Sequence, residues 1–539
     1  MMAKISVVEI LREMAFFSEL KNENPFKIRA LQRSADLLEE QGVDAAELVR
    51  TGEITKIPGV GKGTQGLVKE FVDTGKVAEH ESLRREFPAG ILELLEIRGL
   101  GPKKIKALYV QLSIGSLGEL EYACQENRLL ELKGFGQKTQ DSVLKNIEAL
   151  KANRSKAILP MAMNQAEDVR EELLALAGVA RVEETGELRR KFPVIASLDF
   201  VVAGDAGLPA VLAKAGFVEN TGVFERKLPD SLRVRVWVAS AGDFGARLFS
   251  TTGPDAFVAG KNVKAAAEED LVFHALGLAV VPAESRDKGV APAGLVEVGD
   301  IKGVFHLHTT WSDGKNSLAE MAAGAVERGY EYLGVSEHSQ TAFYANGLNA
   351  KRIVEQRREI EGLREKFPSL RIFHGIESDI LADGSLDFPE DVLAGFDFVI
   401  ASIHGQMKMS SEDMTRRICR ALENPATTWL GHWSGRLLLA REGFAFDQEK
   451  VLATAAKLGK GIELNSNPYR LDLDWQVAGD AAARGIPIGI FPDAHSVGGF
   501  DDLKYGVWMA RKAGLTAAQV VNTKPRKEME TWLRERKSQ

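Results

Sequence analysis

The sequence predicts a multidomain chain of α+β and α/β class, with helical hairpin repeats first, a small mixed sheet next and a β/α barrel last. Three observations carry this expectation. At 539 residues the chain is too long for one ordinary hydrophobic core, so several domains are expected. An apolar-x-Gly-apolar-Gly pattern occurs three times in the N-terminal part. In the C-terminal part strand-like and helix-like segments alternate, as parallel β/α units do.

Composition narrows the class. With 45% hydrophobic and 27% charged residues the chain reads as globular rather than disordered or fibrous. Two cysteines, Cys124 and Cys419, exclude a disulfide framework and a Cys-rich zinc module, and point to a reducing cytoplasm. The opening MMAKISVVEILREMAFF carries charges inside its apolar stretch and reads as an amphipathic helix rather than a signal peptide. No apolar run approaches the roughly 18–20 residues of a membrane span. The net charge of −7 gives no general attraction for nucleic acid, so any such contact must rest on local cations and backbone amides.

The repeats read IPGVGKGTQGLV from Ile57, IRGLGPKKIKAL from Ile97 and LKGFGQKTQDSV from Leu132. This is a helix-hairpin-helix signature. The paired glycines, Gly59 and Gly61, Gly99 and Gly101, Gly134 and Gly136, allow a tight turn and close approach of a ligand. The N–H groups opening the following helix form a phosphate site. Lys62, Lys103, Lys104 and Lys138 stand just beyond and add charge. Contacts of this kind bind the DNA backbone without regard to sequence; the bland alternative is helix packing alone. Residues 155–250 turn β-rich, with PVIASLDFVVAG and LRVRVWVAS, and an Ala/Gly/Pro-rich stretch to about residue 300 reads as a connector.

Of nine histidines, only His80 and His274 precede residue 300. The rest fall on six of seven predicted strands, and each of the seven has polar residues at or just past its C-terminal end: His306 and His308, His338, Glu377, His404, His432, Asn465 and Asn467, and Asp493 and His495. A β/α barrel gathers those ends on one face. The i, i+2 spacing of His306/His308 and Asp493/His495 turns each pair to one side of its strand. His374, three residues before Glu377, is expected to point away, as a wall residue. Six imidazoles with Asp313, Glu377 and Asp493 make nine candidate ligands, too many for one tetrahedral site and suited to two or three transition metals. Such a cluster fits hydrolysis of phosphate esters.

These segments, FHLHTTWSDG, SEHS, GIESDIL, ASIHG, GHWSG and PDAHS, resemble the PHP (polymerase and histidinol phosphatase) metallo-phosphoesterases. The resemblance implies a distorted (β/α)7 barrel with a trinuclear site. It would place one metal on His306, His308, Glu377 and Asp493, a second on Glu377, His404 and His432, and a third on Asp313, His338 and His495. Glu337 stands where the family usually has Asp, and little effect is expected of it. Arg436 and Arg470 follow site strands and are candidate phosphate clamps, with surface ion pairing as the alternative.

The order of hairpins, small sheet and PHP barrel resembles the bacterial family X DNA polymerases of the PolX type over nearly the whole chain. The implied domains are an 8-kDa-like domain at 1–85, fingers at 86–152, a palm at 153–245, a thumb-like region and linker at 246–297, and the barrel at 298–539. The palm departs from the family pattern. Ser197 stands at the first DxD position and only Asp199 remains of that pair. Counting back from Phe244 puts Arg235 at the third carboxylate, while Glu187 replaces the Ser of GS and Pro254 the Ser of TGS. A guanidinium there repels Mg²⁺, so Mg²⁺ in the palm is not expected and the polymerase site is read as degenerate. Leu67 stands at the position of the lyase lysine of eukaryotic relatives.

The resulting expectation is a DNA-repair nuclease of the bacterial cytoplasm, nucleoid-associated when acting, with Mn or Zn, or Fe, in the barrel. Its activity would be 3′–5′ exonuclease, AP-endonuclease-like or 3′-phosphoesterase. The expected partner is gapped, nicked or 3′-ended DNA; no membrane partner is expected, and the chain is taken as a monomer. The alternatives are a working gap-filling polymerase with an editing nuclease, and a small-molecule phosphatase of the histidinol-phosphatase kind.

Overall fold

The computed structural model describes residues 6–41, 45–57, 60–125, 128–229 and 232–537. Gly59 lies outside the described residues. The chain forms two compact units, Met1–Arg154 and Ser155–Gln539.

The first unit is helical, and each repeat ends in the same construction. A 3₁₀ turn (Ala89–Glu96 or Arg128–Glu131) leads through the glycine pair into a helix, α2 (Pro102–Leu112) or α3 (Gln137–Arg154), and in the first repeat the turn Glu53–Lys56 precedes α1 (Lys62–Thr74). The apolar positions of the motif anchor the turn. Ile57, Ile97 and Leu132 are buried, as are Val60, Leu100 and Phe135, and the backbone N–H of each later residue donates to the carbonyl of the earlier one at 3.0–3.2 Å. Gly99 and Gly134 take φ of +90° and +92°, a region in which a β-carbon is strained, so glycine is required there. Gly61 and Gly101 sit at helix N-caps without a side-chain cap. A β-carbon at Gly61, Gly101 or Gly136 would meet nothing within 4 Å. The helix starts thus face open space. Lys62, Lys103 and Lys138 are exposed beside them, whereas the Lys104 ammonium folds back to donate to the Gly99 carbonyl at 3.0 Å.

The second unit opens with a five-stranded mixed sheet: β1 (Val179–Thr185), β2 (Ser197–Gly204), β3 (Val218–Asn220), β4 (Val223–Lys227) and β5 (Arg233–Ala239), in the order β1-β2-β5-β4-β3. Alternation along RVRVWVA buries Val234 and Val236 on one face and leaves Arg233, Arg235 and Trp237 on the other.

Seven parallel strands follow: β6 (Gly303–Val304), β7 (Tyr332–Val335), β8 (Arg371–Asp379), β9 (Phe398–Ser402), β10 (Trp429–Leu430), β11 (Gly461–Asn465) and β12 (Ile488–Phe491). They pair in chain order, β12-β11-β10-β9-β8-β7-β6. The ring closes where Leu307 bridges Ala494 in parallel, and Asn522 ties the far end by donating to Gly303 and Ile490 carbonyls while accepting from Ile490 N–H. Helices between successive strands, such as Leu318–Glu327 and Ser411–Glu423, cover the outside. Inside, Phe305, Tyr332, Phe373, Phe398, Trp429 and Phe491 form an aromatic floor. Gly334 and Gly375 make room for it, since a β-carbon at either would run into the ring of Phe305 or Phe398. With this end packed shut, the polar residues are left to the opposite, C-terminal face.

Candidate metal centre

Glu377 is the hub of that face. It projects from β8 and is 1% exposed. Five imidazole nitrogens surround its carboxylate: His306 Nε2 at 3.1 Å, His308 Nε2 at 3.6 Å, His338 Nδ1 at 2.9 Å, His404 Nε2 at 3.3 Å and His432 Nε2 at 3.1 Å. Asp493 Oδ1 lies 3.5 Å from His306 Nε2 and 3.3 Å from His308 Nε2. Asp313 lies 3.5 Å from His338 Nε2 and 3.4 Å from His495 Nε2. All nine predicted residues are therefore brought together. Three overlapping groups have ligand atoms spaced closely enough for an ion: His308, Asp313, His338 and His495; His306, His308 and Asp493; and His338, Glu377 and His404.

The backbone differs from the expected strand alternation. β6 ends at Val304, and His306 has φ +57°; Asp493, just past β12, has φ +52°. Left-handed backbone at non-glycine residues costs of order 1–3 kcal/mol and collects at functional sites. Each of these two residues reaches the centre through a turn at its strand end, rather than through the regular i, i+2 pleat.

The electrostatics are those of a site built for cations. His306 Nε2, His308 Nε2, His338 Nδ1 and Glu377 Oε2 are buried without a hydrogen-bond partner. Burial alone would raise Glu377, but His306, His404 and His338 outweigh it and hold the carboxyl well below its usual range. Asp493 is likewise held low against its burial, chiefly by His306 and His308. Burial and the neighbouring His338 and His495 push His308 down to about 3. Burial would lower His338 too, but Glu377 and Asp313 lift it to about 10. Orphaned buried nitrogens beside ionised carboxylates fit divalent metals, which supply the missing partner for both.

Residues outside the sequence-derived set hold the centre in place. Glu463, fully buried on β11, accepts from His306 Nδ1 through one oxygen and from the His432 backbone N–H at 2.6 Å through the other. Asp379 accepts from His404 Nδ1. Both carboxylates turn the Nε2 atoms inward. Glu337, expected to matter little, is fully buried and accepts from Thr309 N–H at 3.1 Å, Thr309 Oγ1 at 2.5 Å, Ser312 Oγ and Gln356 Nε2 at 3.1 Å, fixing the turn that delivers Asp313. The missed signal was alternation: Asp379 follows Glu377 by two, and Glu463 precedes Asn465 by two. His374 faces the covering helix, its Nε2 3.1 Å from Gln356.

The two arginines separate. Arg470 Nε lies 3.5 Å from Asp493 Oδ2, at the centre's edge. Arg436 is spent elsewhere, donating to the Arg470 carbonyl at 3.0 Å, the Leu471 carbonyl and Asp474 at 3.2 Å, so it supports the Arg470 loop instead of clamping a phosphate.

In the mixed sheet, parallel register sets Asp199 beside Arg235 and Ser197 beside Arg233. The Arg235 guanidinium donates to both Asp199 oxygens, at 2.8 and 2.5 Å. Arg189 is similarly engaged with Glu269, at 2.9 and 2.6 Å, and with Thr252 Oγ1 at 2.6 Å.

Comparison with known proteins follows the same division. A model described as a helix-hairpin-helix domain matches residues 2–77, a SAM-like helix-hairpin-helix tandem matches 91–148, and the PHP domain matches 305–466. A probable phosphatase of Thermoanaerobacter sp. (strain X514) is 29% identical over 43% of this chain and 94% of its own length. A probable phosphatase of Caldicellulosiruptor saccharolyticus is 31% identical over 30% of this chain and 65% of its own. The DNA polymerase/3′–5′ exonuclease PolX of Bacillus subtilis (strain 168) is 32% identical over 99% of this chain and 100% of its own. Matched from end to end, with its hairpins and its PHP barrel in the same order, this chain belongs to the PolX family.

Proposed function

We propose that this chain binds DNA through its hairpins and hydrolyses phosphodiesters at the barrel mouth, as a 3′–5′ exonuclease, with AP-endonuclease-like and 3′-phosphoesterase cleavage as further uses of the same centre. The observation that carries the reading is the ring of five imidazoles around Glu377, with the inward nitrogens of His306, His308 and His338 buried and unpartnered. The family name supports it, since the Bacillus subtilis relative is named for both polymerase and exonuclease.

Two or three divalent transition metals, Mn or Zn or Fe, are the proposed cofactors. His306, His308, Glu377 and Asp493 would hold one, Glu377, His404 and His432 a second, and Asp313, His338 and His495 a third. Bound there, such ions lower the pKa of a water, bind phosphoryl oxygens and stabilise a leaving oxygen. The chain's own residues do the rest. Glu463 and Asp379 keep His306 and His404 in register, Glu337 holds the Asp313 turn, and Arg470 presents a guanidinium to an entering phosphate. Gly61, Gly101 and Gly136, with Gly59, Gly99 and Gly134, would admit the DNA backbone to the helix starts, assisted by Lys62, Lys103 and Lys138.

The polymerase half of the family name is not carried over. Catalysis in such a palm needs carboxylates free to hold Mg²⁺, and here the Arg235 cation takes the place of the metal against Asp199. The five-domain division, with boundaries near residues 85, 152, 245 and 297, a monomeric state and a bacterial cytoplasmic location are part of the same proposal. No helix among the described residues is long and apolar enough to cross a membrane. Metal analysis of protein purified without chelator tests the centre: two or three ions per chain are expected, fewer in His404→Ala or Asp493→Ala. Less than one ion per chain would refute it.

A further inference from the structure

Phe343 is 86% exposed and Tyr344 66%, yet the loop that carries them is tied down on all sides. Ala342 and Ala345, which flank the pair, are buried. Thr341 donates from both its backbone N–H and its hydroxyl to Asp387, at 2.7 and 2.9 Å. Asn346, at φ +54°, ends the single 3₁₀ turn, and its carbonyl accepts from Arg352 at 2.7 Å. Leu348 N–H returns the chain by donating to the His338 carbonyl at 2.8 Å. A loop this well anchored does not leave two large rings in water for want of structure. Side by side on a fixed loop they form an apolar patch, the kind of surface that marks a binding site.

Their place identifies the ligand class. The Tyr344 ring centroid is 6.4 Å from that of His338, and the rings of Phe343 and Tyr344 stand 6.5 Å apart at 74°. The Tyr344 hydroxyl lies in the field of Asp379, Glu377 and Asp313, with Arg470 opposing them. The two rings therefore make a corner beside the centre, at a distance that one nucleotide spans. A nucleobase offers an aromatic face whatever its identity, so it stacks on such a platform without regard to sequence.

We propose that Phe343 and Tyr344 form the stacking platform for the base of the nucleotide whose phosphodiester is cleaved at the centre, and so select nucleotidyl esters over phosphate esters without a base. This rests on the phosphodiesterase reading above. The test uses the full chain with Mn²⁺ and two esters sharing one leaving group, thymidine 5′-(p-nitrophenyl phosphate) and methyl p-nitrophenyl phosphate. Preference for the thymidine ester in kcat/KM should fall about tenfold in Phe343→Ala and in Tyr344→Ala, mainly through KM. It should survive in Phe343→Trp and Tyr344→Phe, which keep a ring, and metal content should not change. A preference unmoved by both alanine variants would overturn the platform while leaving the phosphodiesterase reading standing. Failure of the metal-loaded parent to cleave either ester would overturn that reading instead. A second measurement then decides the platform: a single strand ending in 2-aminopurine should change fluorescence on binding the parent, and less on binding Phe343→Ala. Equal changes would overturn it.

Discussion

Glu463 bonds one candidate ligand through each oxygen, which makes it the most consequential residue that the motif pattern does not contain. Replacing it by Gln keeps the shape and removes the charge that fixes His306 Nδ1 as a donor. Loss of such a partner typically costs 10–100-fold in metal affinity. Glu463→Gln should therefore lose metal to a competing chelator at about 10–100-fold lower chelator concentration, with little change in circular dichroism; unaltered retention would show that His306 needs no such partner. His374 supplies a contrasting case. It is 3% exposed, and burial, with Arg357 and Arg364, holds it down to about 3, against about 6.5 in an unfolded chain. Between those values the unfolded state binds more protons, so stability falls as pH falls from about 6.5 towards 3 and is unaffected by this group above 6.5. From pH 6.5 to 5 the loss reaches about 2 kcal/mol. Urea unfolding at pH 7 and pH 5 should show a smaller acid loss in His374→Gln than in the parent. Equal losses would mean that His374 does not titrate in this way.

At the level of elements, the hairpins and barrel strands were legible because their signals are local. Glycine pairs and apolar anchors recur with one spacing, and site residues mark one strand end after another. What sequence spacing could not supply was non-local or irregular. The left-handed turns at His306 and Asp493 break the pleat that the i, i+2 argument assumed, and nothing in the strings 306–308 and 493–495 marks that break. The division of labour between Arg436 and Arg470 depends on carbonyls that the fold brings within reach of Arg436. Gly99 offers an element-scale test. At φ +90° a side chain is strained, so Gly99→Val should distort the second hairpin. Affinity for DNA should fall several-fold, with salt dependence kept, and by more than hydrolysis of a small phosphodiester does. Parallel losses in both would signal general unfolding of the chain.

For the molecule as a whole, the proposed work is divided between hairpins that bind DNA and a barrel whose closed aromatic floor directs its chemistry to one face. Between the hairpins and the barrel in sequence lies the sheet that resembles a polymerase palm, with its Asp199 bonded to Arg235. Counting back from Phe244 sets Arg235 at the third carboxylate position, but its bidentate bond to Asp199 rests on the parallel register of the two strands and was not legible in the sequence. On the proposed function the chain degrades DNA ends and does not extend them. This is tested most directly by incubating a 5′-labelled primer on a gapped template with Mn²⁺ and all four deoxynucleoside triphosphates. A ladder of shortened products, lost in His404→Ala, is expected, with no product longer than the primer. Extension products that persist in His306→Ala would contradict it.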